Sequence, residues 1–221
     1  MYLSDLAFFT ISIASLGVLS LFVLNDYIDR TYKFPHHEAV RKHLHASRTD
    51  DISSSIGHMG SVFLEFGAVD GITKSTTYNL EKIYNWTGIL IEPDVSAMGN
   101  IVMDRPLSKV MNTVICPVGH REIDFEISDR AGGSGTNIDH PVQFIRMKCS
   151  DLNVVCPKHV DFMSVSTVGS EMDILETFNF TAHNVTYIHI SNSSEYTSTF
   201  MKKHQYKPVY MGDNVVYTNA Q

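Results

Sequence analysis

From residue 60 onward the chain alternates short β-rich runs with helical stretches, and this alternation narrows the architecture more than any other feature. Strands are expected over 62–66, 88–92, 109–116, 122–127, 143–148, 160–165, 185–190, 206–211 and 214–218. Helices are expected between them over 76–84, 95–104, 171–178 and 194–204. The run Glu122-Ile123-Asp124-Phe125-Glu126-Ile127 alternates polar and apolar residues as a half-exposed hairpin strand does, and 143–148 is its candidate partner. Gly212-Asp213, between the last two runs, favours a hairpin turn. The pattern predicts a doubly wound α/β domain with a mostly parallel, seven-stranded sheet between two helical layers over 60–221.

A chain of 221 residues with 43% hydrophobic and 19% charged side chains can bury one full-sized core, so a single domain must account for the body. The formal net charge of −7 supplies no basic footprint for a nucleic-acid backbone, which excludes DNA and RNA as expected partners. Cys116, Cys149 and Cys156 lack the paired spacing of a zinc site, and no metal is expected. Three half-buried thiols is the preferred reading, with Cys149–Cys156 the candidate disulfide in an oxidising compartment.

In open α/β sheets ligands bind outside the carboxyl ends of the strands, close to where strand order reverses. The first expected strand runs into Glu65-Phe66-Gly67-Ala68-Val69-Asp70-Gly71, whose small residues suit a backbone that approaches a ligand closely. The second ends at Glu92, near the offset at which an acidic side chain accepts hydrogen bonds from ribose hydroxyls. The loop lacks the GxGxxG pattern that seats a pyrophosphate, so a single adenosyl group, as in S-adenosylmethionine, fits better than a dinucleotide.

Four blocks then become specific: Phe63-Leu64-Glu65-Phe66-Gly67-Ala68-Val69-Asp70-Gly71, Asn79-Leu80-Glu81-Lys82, Trp86-Thr87-Gly88-Ile89-Leu90-Ile91-Glu92-Pro93 and Asp161-Phe162-Met163-Ser164-Val165. In order and spacing they resemble the FkbM family of methyltransferases, as does the closing run Gly212-Asp213-Asn214-Val215-Val216-Tyr217. The resemblance implies a Rossmann-like S-adenosylmethionine methyltransferase fold and methyl transfer to an oxygen acceptor. It places Glu65, Gly67, Ala68, Asp70 and Gly71 around the methionine end of the cofactor and Glu92 at the ribose. The chain departs from the family after residue 165, where Ser166-Thr167-Val168-Gly169-Ser170-Glu171 replaces an Asp-x-Glu-Gly-x-Glu pattern. Val69 and Ile190-Ser191 also stand where polar or acidic residues are common in the family. No catalytic residue is assigned, and the lone His189 near a strand end reads as a packed or surface histidine.

Residues 6–24 form an uncharged apolar stretch long enough to cross a bilayer once as a helix. With neither a basic start nor a small-residue cleavage site, it is expected to be an uncleaved single-pass membrane anchor rather than a signal peptide. Residues 25–59 read as a polar stem with a helix over 35–46, and His36, His37, His43 and His45 read as solvent-facing. Arg30, Lys33, Arg41 and Lys42 after the anchor argue for a cytosolic body by the positive-inside rule. The sequons at Asn85, Asn179, Asn184 and Asn192 argue for a lumenal one, and with the family resemblance they favour the endoplasmic reticulum or Golgi. Two functional classes follow. One is an anchored O-methyltransferase acting on a hydroxyl-bearing glycan, lipid or metabolite; the other is a catalytically inactive, Star-like homologue that binds a protein client in the secretory pathway.

Overall fold

The computed structural model describes residues 49–58, 60–127, 143–167, 169–212 and 214–219. The expected anchor and the helix over 35–46 lie outside these residues. Among the described residues no helix is long and apolar enough to cross a membrane.

In chain order the elements are α1 (Thr49–Ile56), β1 (Val62–Phe66), α2 (Tyr78–Tyr84), β2 (Thr87–Ile91), a 3₁₀ turn (Val95–Ala97), α3 (Met98–Asp104), β3 (Ser108–Met111) and β4 (Val114–Ile115). They continue with β5 (Glu122–Ile127), β6 (Gln143–Ser150), α4 (Leu152–Val155), β7 (His159–Val165), α5 (Glu171–Thr177), β8 (Asn184–Ile190), α6 (Glu195–Lys203), β9 (Lys207–Met211) and β10 (Asn214–Thr218).

Seven strands form the main sheet in the order β3-β2-β1-β7-β8-β10-β9. β10 runs antiparallel to both its neighbours, whereas the pairings from β3 through β8 are parallel. The chain winds outward from β1 through β2 to β3, then returns to the other side of β1 and winds outward again through β7 and β8. Strand order therefore reverses between β1 and β7.

Side chains alternate between the two faces of the sheet. Phe63, Leu90, Phe162 and Val216 pack with Ile52, Ile56, Leu80 and Ile101 on one face. Leu64, Phe66, Met163, Val165, Ile188 and Ile190 pack with Leu152, Ile174, Leu175 and Met201 on the other. Each apolar layer is thus closed by helices, giving the expected three-layer arrangement.

Three local outcomes differ from the sequence expectation. The segment read as stem already contributes α1, whose Ile52 and Ile56 are fully buried, so the packed domain begins ahead of Gly60. Burying each of those side chains contributes about 1.5–3 kcal/mol. Trp86 fixes the junction by donating from its indole Nε1 to Gly57 O at 2.7 Å. The expected strand over 109–116 breaks in two, because Asn112 Nδ2 donates to Glu92 O and Pro93 O (3.0 and 2.7 Å) and turns the chain. β4 then leaves the main sheet to pair with β6, itself the antiparallel partner of β5.

The third outcome concerns the cysteines. Cys116 is bonded to Cys149 with a Cα–Cα distance of 5.6 Å, while Cys156 is free and buried. The register explains the choice: β4 and β6 pair through Val114↔Cys149, which places Cys116, just past the end of β4, against Cys149. α4 meanwhile carries Cys156 into the core beneath the sheet. Burial pushes the Cys156 thiol up to about 12, which keeps it protonated.

Candidate functional site

The reversal of strand order puts the carboxyl ends of β1, β2, β7 and β8 side by side, and the ladder hydrogen bonds continue past them. Gly67 N donates to Ile91 O (3.0 Å), Glu92 N to Met111 O (3.1 Å), Ser166 N to Phe66 O (3.1 Å) and Ser191 N to Val165 O (3.1 Å). Four loops consequently leave the sheet from one shared edge.

The loop after β1 carries most of the expected site residues. Gly67 has φ +75° and Gly71 φ +79°, conformations that L side chains rarely adopt. A Cβ at Gly67 would lie 2.3 Å from Ser166 O, and one at Gly71 would lie 3.2 Å from Arg105 and Ile101 side-chain carbons. The glycines are therefore demanded by the chain's own conformation and packing, besides any ligand they face. Val69 also sits at positive φ, 54°, an outlier for a β-branched residue. Asp70 Oδ1 accepts from Ile72 N (2.9 Å) and Thr73 N (2.6 Å), closing the turn on itself, and Ala68 is buried.

Glu92 joins the two strand ends. Its Oε2 accepts from Val69 N at 2.7 Å and its Oε1 from Asp94 N at 2.9 Å. Burial pushes its carboxyl above the usual range, and the two backbone donors pull it back. The sequence places a carboxylate and a side-chain-poor bend at neighbouring strand ends; the structure brings them into direct contact.

Glu65 lies beneath this loop, 1% exposed, inside a polar network that sequence reasoning did not find. It accepts from Ser75 Oγ (2.8 Å), Thr76 N (3.0 Å) and Thr77 Oγ1 (2.5 Å). Arg105, fully buried, donates to Glu81 Oε2 (2.9 Å), Gly71 O (2.9 Å), Ser75 Oγ (3.0 Å) and Thr77 Oγ1 (2.8 Å). Its Nη1 lies 3.8 Å from Glu65 Oε2. Segment 71–77 is thereby fastened to the core, which is why α2 starts at Tyr78 rather than at Thr76. Both carboxylate oxygens of Glu65 are engaged by segment 75–77.

The ends of β7 and β8 and the residues just past them carry several hydroxyls. Ser164 Oγ accepts from Thr76 Oγ1 at 2.6 Å, and Thr167 Oγ1 is buried without a hydrogen-bond partner. Glu171 is buried and receives Gly169 N (2.8 Å), Ser191 Oγ (3.1 Å) and Asn192 Nδ2 (3.0 Å), so it ties the two loops together. Glu65, Ser164 and His189 are register neighbours across β1, β7 and β8. His189 Nδ1 has no partner, and burial lowers its imidazole to about 4.

A wide groove of about 990 Å³ lies elsewhere, between the base of the β5–β6 hairpin and α4, with His120, Arg121, Arg146, Lys148, Asp151 and Glu176 on its walls. It shares no residue with the loops after β1, β2 and β7. The chemistry of the strand ends, rather than concavity alone, marks those loops as the candidate site.

The sequence matches no family model and no curated protein. Among solved structures the chain is similar to a SAM-dependent methyltransferase from Aquifex aeolicus, at 9% identity and a TM-score of 0.45, covering 83% of this chain and 98% of that one. It is similar to the methyltransferase FkbM from Methylobacillus flagellatus at 13% identity and a TM-score of 0.43, covering 73% of this chain and 45% of that one. The chain thus spans less than half of that protein. It is also similar to TrmK of M. capricolum, solved with S-adenosyl-homocysteine, at 8% identity and a TM-score of 0.42, covering 76% and 67% of the two chains.

Proposed function

We propose that this chain is a membrane-anchored methyltransferase that uses S-adenosylmethionine to methylate a hydroxyl-bearing acceptor, with its domain in the secretory lumen. The observation that carries the reading is the 2.7 Å contact between Val69 N and Glu92 Oε2, which builds one site from two strand ends at the reversal point. Each carboxylate oxygen accepts one protein donor there and keeps capacity for another, as ribose hydroxyls require. The buried, unpartnered Thr167 Oγ1 at the neighbouring loop is a further group that a polar ligand would satisfy.

In this reading Glu92 holds the ribose, and the backbone of Gly67, Ala68, Asp70 and Gly71 lines the methionine end. Glu65 and Arg105 hold that backbone rigid from beneath. The cofactor supplies an electrophilic methyl group, and the chain's part is to align the acceptor oxygen with it and keep water away. Support for the lumenal placement comes from the Cys116–Cys149 disulfide, since such bonds persist in oxidising compartments. Incubating the full-length protein with S-adenosylmethionine and panels of hydroxyl-bearing glycans, lipids and metabolites should release S-adenosyl-homocysteine with one class. Binding of the cofactor without release on any class would remove the enzyme reading.

One observation favours the second reading, an inactive Star-like module with a protein client: the described residues at the end of β7 are Ser164, Val165, Ser166 and Thr167, none of them a carboxylate. Client capture by a Glu92→Ala variant as efficient as that by the native protein would support this alternative.

A further inference from the structure

The four Asn-x-Ser/Thr triplets occupy different settings in the fold. Asn192 follows the carboxyl end of β8, and its Nδ2 is spent on buried Glu171. Asn184 opens β8, with its Nδ2 3.3 Å from His159 Nδ1. Asn85 caps α2 in the left-handed conformation, but the next residue, Trp86, is buried and bonded to Gly57, and Thr87 already belongs to β2.

Asn179 differs from all three. It lies in the turn between α5 and β8; both it and Thr181 are exposed, as are Asn85 with Thr87 and Asn192 with Ser194, so the distinction is in its hydrogen bonds. Its Oδ1 accepts from Thr181 Oγ1 (2.8 Å), Thr181 N (3.1 Å) and Ala182 N (3.0 Å). The third residue of the triplet therefore already touches the first through its hydroxyl, and all three bonds end on the carbonyl oxygen, leaving the amide nitrogen out of the turn. The turn precedes β8, at the edge of the sheet opposite the strand ends that form the candidate site. A bulky substituent there leaves those strand ends clear.

We propose that Asn179 is the residue of this chain that carries an N-linked glycan, received from a lipid-pyrophosphate-linked oligosaccharide in the secretory lumen. Asn179 Nδ2 forms the bond to the anomeric carbon and loses one proton, while the carbon–oxygen bond to the pyrophosphate breaks and the lipid pyrophosphate leaves. The inference rests on the lumenal placement proposed above, and the Cys116–Cys149 disulfide is independent support for that compartment.

The test expresses the full chain in eukaryotic cells with an added Asn-Gly-Thr triplet after Gln221 as a topology reporter. Peptide-N-glycosidase converts a modified Asn to Asp, and peptide masses identify which residues changed. The expected result is conversion at the reporter and at Asn179, with Asn85, Asn184 and Asn192 unchanged. Thr181→Ala should lose the Asn179 glycan, whereas Thr181→Ser, which keeps the hydroxyl, should retain it. A modified reporter with unmodified Asn179 overturns the assignment alone. An unmodified reporter and an unmodified Asn179 overturn it together with the lumenal placement.

Discussion

Val69 N and Glu92 Oε2 are 2.7 Å apart, although 23 residues separate them in the chain. One carboxylate thereby sets the shape of the loop after β1 as well as facing the edge where strand order reverses. Because the same side chain holds the loop and offers its remaining lone pairs, its loss should be felt in two ways.

Glu92→Ala strands the N–H groups of Val69 and Asp94, both part-buried, and should destabilise the domain by about 1–3 kcal/mol. Its affinity for S-adenosyl-homocysteine should fall by at least about tenfold, the equivalent of one lost charge-assisted hydrogen bond. Calorimetric unfolding and equilibrium dialysis read the two effects separately. An unchanged affinity would remove Glu92 from the site.

Val69 pays for its φ of 54° with backbone strain that a residue without Cβ avoids. Val69→Gly should leave stability level or raise it by up to about 1 kcal/mol, despite the smaller side chain. A loss of more than about 1 kcal/mol in urea unfolding would show that the side chain's packing outweighs the strain.

The sheet was legible because its signals are local. The periodicity of 62–66, 122–127 and 160–165 survives whatever the rest of the chain does, and β1, β5 and β10 have the expected bounds. Glu92 and the bend at 67–71 were legible as a pair because their spacing reflects one strand-helix-strand unit. Arg105 was not, since nothing around Asp104-Arg105-Pro106 announces that its guanidinium turns inward to Glu81 and Gly71. The Cys116–Cys149 bond depends on β4 leaving the main sheet, a consequence of Asn112 bonding to Glu92 O and Pro93 O that no periodicity encodes.

Arg105→Met should be among the most disruptive single changes in the domain. It leaves Glu81 and Glu65 buried without their cation, at a cost of about 3–5 kcal/mol. Arg105→Lys should recover only part of that, because one ammonium cannot span Glu81, Gly71, Ser75 and Thr77 together. Urea midpoints of the two variants check the order, and equal stability of Arg105→Lys and the native chain would contradict it.

His189 should give the domain a measurable acid sensitivity. Its imidazole is lowered from 6.5 to about 4 by burial, so between those values the unfolded chain binds a proton that the folded chain does not. Stability is therefore fully present above pH 6.5 and is lost as the pH falls through the window toward 4, by about 3 kcal/mol at its end. Comparing native protein and His189→Gln by urea unfolding at pH 7.5 and pH 4.5 isolates this contribution. The native protein should lose more stability between the two pH values than His189→Gln does, and parallel losses would contradict the assignment.

The account turns on whether the edge shared by β1, β2 and β7 receives an adenosyl group. Isothermal titration of the full-length protein, in detergent micelles, with S-adenosylmethionine measures this directly. The expected result is saturable heat in the native chain and binding at least about tenfold weaker in Glu92→Ala under the same conditions. Absence of heat in the native chain at millimolar cofactor would contradict the proposed site and the function built on it.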